Sequence, residues 1–145
     1  MVNGGITAAL EYDIEKIKTI GDCYMAVCGM LNPAHDHTAR MINMAVRMIN
    51  ICHEFSLKNN MDVKLRVGIH TGTVVAGVMG TNKFIYDVWG DTVNMASRME
   101  SEGIVNGIQV SEEVHQKVKD LFPFESRGLI NIPGKGQHEV WLLKI

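Results

Sequence analysis

The sequence of 145 residues predicts a single α+β domain in which an antiparallel-rich sheet carries helices packed on one face. Three observations lead to that fold class. Short strand-like runs recur along the chain, a Gly-Asp pair separates the first two, and three segments switch to a helical period. Hydrophobic content of 46% and charge of 21% are ordinary for a soluble domain, and the length suffices for one sizeable core.

Taken in order, IEKIKTI (14–20) and CYMAVC (23–28) are strand-like and flank Gly21-Asp22, a two-residue hairpin signal. From Asp36 to Phe55, Met41, Met44, Ala45, Met48, Cys52 and Phe55 recur at helical spacing, forming a stripe suited to packing on a sheet. KLRVGIH alternates Leu65, Val67 and Ile69 as a strand. VVAGVMG follows, and FIYDVWG alternates Phe84, Tyr86 and Val88 as another strand. Asp91 or Thr92 is placed to cap a helix over TVNMASRMES, and Gly103 stands where that helix ends. IQV (108–110) is a short strand, and Ser111 caps SEEVHQKVKD with Glu112 and Glu113 in its first turn. Strands over about 124–131 and 138–144 close the chain around GKG (134–136), for an order of ββαββαβαββ.

A formal net charge of −2 lacks the basic footprint of a nucleic-acid binder. No run reaches the ~18–20 apolar residues of a membrane-spanning helix, so no membrane contact by this segment itself is expected. MVNGGITAALEYD has neither the basic start nor the apolar core of a secretory signal. Cys23, Cys28 and Cys52 form no CxxC and leave an odd thiol, which favours a reduced, cytoplasmic chain, on its own or as the cytosolic module of a larger membrane protein.

Four features invite a functional reading, each beside a plainer one. Asp22 sits at a hairpin tip, where Asp serves backbone geometry or offers carboxylate oxygens to a hard cation. Asn94 and Arg98, four apart, project from one helix face; they are either a solvated surface or a pair for ribose and phosphoryl oxygens. Lys135, between two glycines, either faces solvent or approaches a phosphate closely. Lys18 and Asp87 interrupt apolar strands, on a polar face or as readers of a base. The glycines of GIHTGTVVAGVMG do not form a phosphate loop, because no Gly-Lys-Ser/Thr follows.

In order along the chain, EKIKTIGDCYMAV (15–27), LRVGIHTGTVVAGVMG (65–80) and YDVWGDTVNMASRME (86–100) closely resemble the catalytic domains of class III adenylate and guanylate cyclases. The resemblance continues through IQVSEEV (108–114) and RGLINIPGKG (127–136). It implies a ferredoxin-like cyclase fold and formation of cyclic AMP and pyrophosphate from ATP. Asp22 then matches a metal-binding aspartate for Mg2+ or Mn2+, two ions per site. Asn94 and Arg98 match the pair that positions ribose and stabilises the transition state, and Lys135 matches the lysine on the triphosphate. Lys18 and Asp87 match the purine-selecting pair in its adenine form, against Glu and Cys in guanylate cyclases. The resemblance also implies a site shared across a homodimer or a heterodimer with another cyclase domain.

One departure stands out. The family's first metal aspartate lies on a strand before a phosphate-cradling turn and helix, all ahead of the IKTIGD hairpin. Residues 1–12 carry no such motif, and Asp13 is too near the hairpin to replace the ligand. The expectation is a cyclase domain over 13–145 with its first strand and helix missing, impaired when alone. The alternatives are a non-catalytic half-site or regulatory partner, and a guanylate cyclase.

Overall fold

The computed structural model describes the backbone of residues 15–20, 23–29, 36–73, 75–79 and 85–145, and the side chains of these apart from 15–20, 75–79 and 85–89. The first hairpin pairs β1 (Glu15–Ile20) with β2 (Cys23–Val27), bringing Ile20 opposite Cys23 as a two-residue connection requires. A register shift between Lys16 and Lys18 marks a bulge in β1. The helix α1 (His37–Lys58) follows, then β3 (Val67–Ile69), β4 (Val75–Met79) and β5 (Ile85–Trp89). The chain continues through α2 (Asp91–Ser101), β6 (Ile108–Ser111), α3 (Glu112–Val118), β7 (Phe124–Ile132) and β8 (Gly136–Leu143).

The main sheet has four strands in the order β3-β6-β8-β7, with β3 and β6 parallel and the other pairs antiparallel. β4 and β5 form a separate antiparallel hairpin. The fold is therefore α+β and antiparallel-rich, and the element order gains one strand over the sequence-based expectation. That strand is β4, in VVAGVMG, which lacks a period-two alternation and contains a strand-weakening glycine at 77.

Helices cover both faces of the main sheet, not the one face expected from the sequence, because the inner strand β6 is buried on both sides. On one face, Ile42 and Ala45 of α1 and Val114 and Val118 of α3 pack with Ile69, Ile108, Val110 and Leu143. On the other, Met95 and Met99 of α2 pack with Ile132 and Val140. All four residues of β6 are buried, so this inner strand needs apolar cover above and below rather than on one side alone. The methionine stripe of α1 also reaches the first hairpin, where Met44 packs on Tyr24, Ala26 and Cys28.

The start of α2 departs from the expected cap. Gly90, with φ of 116°, takes the N-cap position, a conformation that disfavours any residue with a Cβ. Asp91 lies inside the first turn, and the Thr92 hydroxyl turns away to donate to the Thr73 carbonyl at 2.5 Å. The expected cap of α3 holds: Ser111 Oγ accepts from the Val114 amide at 3.4 Å.

Candidate active site

The site is built on α2 and on the turn between β7 and β8. Where α2 crosses the sheet, β3 presents Gly68, and a Cβ added there would lie 2.1 Å from the Glu100 backbone nitrogen. Backbone thus meets backbone without an intervening side chain, which only glycine permits. Register places Gln109 of β6 beside Gly68 on the same face. Gln109 is fully buried, and its Nε2 donates to the Met99 carbonyl at 3.1 Å.

The Gln109 Oε1 accepts in turn from Arg127 Nη1, which also donates to the Glu102 carbonyl at 2.9 Å. Arg127 is the extra residue of a bulge in β7: Ser126 pairs with Trp141 and Gly128, with φ of 82°, pairs with Val140. Gln109 and Arg127 together satisfy two carbonyls at the C-terminal end of α2, where a cation is also favoured by the helix dipole. An ion pair from Arg66 Nε to Glu100 Oε1 at 3.0 Å adds a third tie.

With its rear half held this way, α2 turns Asn94 and Arg98 toward the β7–β8 turn. The two side chains share a cleft of about 410 Å³ with Ile132, Pro133 and Lys135, a volume within the range of small-molecule sites. Neither Asn94 nor Arg98 has a side-chain hydrogen-bond or ion-pair partner among the described residues. Lys135 lies between Gly134 and Gly136, with φ of 78° and 79°, and its Nζ pairs with Asp91.

Three of the six expected site residues, Asn94, Arg98 and Lys135, are therefore brought together from distant parts of the chain. Lys18 is placed on β1 opposite Met25, and Asp87 on β5 opposite Gly77. Asp22 lies outside the described residues, as do the side chains of Lys18 and Asp87. Among the described residues no group of three or more His, Cys, Asp or Glu is poised to hold a metal ion. The cationic nitrogen groups of Arg98 and Lys135 suit phosphate oxygens, not a hard divalent cation. The described part of the cleft thus presents two cationic side chains with chemistry suited to anionic oxygens.

His70, next to β3, lies near the same turn. Its Nδ1 is 2.6 Å from Ser111 Oγ and 3.9 Å from Glu113 Oε2. Burial holds the imidazole below its ordinary pKa; Glu113 and Asp91 pull upward, while Lys135 and His138 push further down. Ser111 Oγ, which accepts from the Val114 amide, also hydrogen-bonds His70 Nδ1, and so links the ring to the start of α3.

The family model for the adenylate and guanylate cyclase catalytic domain matches residues 7–145. The chain belongs to that family. An adenylate cyclase of Mycobacterium tuberculosis (strain ATCC 25618 / H37Rv) is 47% identical over 133 residues, which covers 92% of this chain and 30% of the relative. The chain thus spans less than a third of the length of that curated relative. The guanylate cyclase domain of RhGC from Catenaria anguillulae, solved in complex with GTP, superposes with a TM-score of 0.91 at 31% identity, covering 97% of this chain and 77% of that one. The catalytic core of a rhodopsin-guanylyl cyclase with converted specificity, solved with ATPαS, gives a TM-score of 0.91 at 33% identity, covering 97% of this chain and 76% of that one. No helix among the described residues of this cyclase domain is long and apolar enough to cross a membrane.

The sequence reading missed what holds α2. An isolated glycine inside the LRVGIH strand is the signal that was available for Gly68, since it marks close backbone approach. Nothing local flags Gln109 or Arg127, whose partners lie 10 to 25 residues away.

Proposed function

We propose that this chain is the catalytic portion of an adenylate cyclase, converting ATP to 3′,5′-cyclic AMP and pyrophosphate. The observation that carries the reading is the cleft in which Asn94, Arg98 and Lys135 converge with no other partner for Asn94 and Arg98 among the described residues. Lys135 takes the outer phosphates and Asn94 orients the ribose. The ribose 3′-oxygen bonds to the α-phosphorus as the bond to the bridging oxygen breaks; pyrophosphate leaves, and the hydroxyl proton passes to solvent. Arg98 meets the charge that grows on the α-phosphoryl oxygens, a role in which loss of one preorganised donor costs about 3–4 kcal/mol.

Adenine selection by Lys18 and Asp87, and Mg2+ or Mn2+ ligation through Asp22, complete this reading. When bound, the divalent cations neutralise charge on the phosphates. Residues of both kinds occur in one chain, which favours a dimer in which one protomer supplies Asp22 and its partner the other five. The partner is a second copy or another cyclase domain.

The test is cyclic AMP production from ATP with Mg2+ or Mn2+, by the chain alone and mixed with a complete cyclase domain whose own Asn/Arg pair is disabled. Turnover in the mixture that disappears with Arg98→Ala supports the reading. No restoration sinks it in favour of a non-catalytic partner, and a preference for GTP over ATP moves it to guanylate cyclase.

A further inference from the structure

The cleft holds two cations in different states. Arg98 has no ion-pair partner among the described residues, whereas the Lys135 ammonium is already engaged by the Asp91 carboxylate. We propose that Asp91 is the resident counter-ion of Lys135, occupying the place of a phosphate and setting how tightly the cleft takes a polyphosphate. The proposal rests on the nucleotide-binding reading above, and assigns to Asp91 an affinity-determining role.

The Lys135 backbone is anchored at both ends. Its amide donates to the Ile132 carbonyl at 2.9 Å, and its carbonyl accepts from His138 Nε2 at 3.0 Å. The would-be Cβ positions of Gly134 and Gly136 have nothing within 4 Å, so the residues on either side of Lys135 stand in open space. A fixed backbone beneath a long, flexible side chain leaves the ammonium to choose between partners by swinging. Asp91 does not depend on the lysine in return. It sits in the first turn of α2, where the helix dipole stabilises a carboxylate, and its side chain is 75% exposed to water.

An incoming polyphosphate therefore competes with Asp91 for Lys135. It also meets the Asp91 charge itself across the same cleft. These two effects are separable, because the first needs the lysine and the second does not. For an ion pair this exposed, releasing the lysine is expected to tighten binding by about two- to fivefold, and less at high salt.

The experiment is calorimetric titration of the full chain with metal-free tripolyphosphate at low salt. The variants are Asp91→Asn, Lys135→Ala and the double substitution, each checked by thermal melting. Asp91→Asn is near-isosteric on an exposed side chain and is expected to fold normally. The expected result is about two- to fivefold tighter binding by Asp91→Asn, weaker binding by Lys135→Ala, and no gain from Asp91→Asn in the Lys135→Ala background. A gain that survives without the lysine would overturn the proposal, since Asp91 would then act by simple repulsion. Unchanged or weaker binding by Asp91→Asn also overturns it, with the site reading left intact. If Lys135→Ala binds as tightly as the parent, or no variant binds at all, the polyphosphate site itself fails and the role of Asp91 falls with it.

Discussion

Replacing Gly68 by alanine places a methyl group where the backbone of α2 already lies. The new Cβ would stand 2.1 Å from the Glu100 nitrogen, 2.5 Å from the Met99 carbonyl carbon and 2.7 Å from the Glu100 Cα. Ordinary contact begins near 3.4 Å, so helix and strand must separate by roughly 1.3 Å at this point. No side-chain rotation relieves the clash, because all three atoms are backbone. Overpacking of this kind costs about 1–3 kcal/mol, which lowers the melting temperature by roughly 3–10 °C in a domain of this size. The separation also stretches the Gln109 and Arg127 bonds to the Met99 and Glu102 carbonyls. It displaces Arg98 as well, and a misplacement of about 1 Å at a reacting centre costs on the order of 100-fold in rate. The assay is a thermal melt followed by circular dichroism, paired with turnover in the mixed-domain reaction. A Gly68→Ala protein that melts within about 1 °C of the parent and turns over normally would refute the claim that α2 is seated on β3 by backbone contact.

Three further outcomes are expected. Gln109→Leu keeps the volume but leaves the Met99 carbonyl and Arg127 without their buried partner, so urea unfolding should show a loss of about 1–3 kcal/mol. Arg98→Ala, on an exposed side chain, should leave stability within about 0.5 kcal/mol while turnover in the mixed assay falls on the order of 100- to 1000-fold. The third concerns His70, whose folded pKa lies below the ordinary 6.5. As pH drops below that value, the unfolded chain gains a proton that the folded chain still refuses. Unfolding free energy should therefore rise with pH across the window beneath 6.5, and His70→Gln should flatten the slope in denaturant titrations at several pH values.

Several local patterns in the sequence reported local structure, although the cap of α2 and strand β4 did not follow them. The stripe from Met41 to Phe55 became α1, Ser111 became the cap of α3, and the turn around GKG closed β7 on β8. The four-residue spacing of Asn94 and Arg98 put them on one helix face, and both line the cleft. What stayed hidden depends on contacts between segments. Lys135 reaches Asp91 over 44 positions, and no periodicity encodes such a meeting. Burial on both sides of β6 likewise cannot be read from three letters, IQV, in which Gln109 looks like a polar, solvent-facing residue. Its amide is instead the inward-facing half of a clamp on a helix terminus. Motif resemblance pointed to the cleft residues, while only the assembled fold shows which of them already have partners.

The bulge at Arg127 has a consequence beyond the hydrogen bonds it makes. Along an uninterrupted strand, Phe124, Ile130 and Ile132 would all point the same way, because each is an even number of residues from the others. In β7 they do not. Phe124 joins the core under α1 and α3, while Ile130 and Ile132 join the core under α2. The inserted residue acts as a half-period dislocation, letting one strand serve two cores that lie on opposite sides of the sheet. Straightening the bulge so that Arg127 pairs in register is thus a different lesion from substituting that residue: the strand would return to a single phase, and one core would trade Ile130 and Ile132 for Leu129 and Asn131, or Phe124 for its neighbour Glu125.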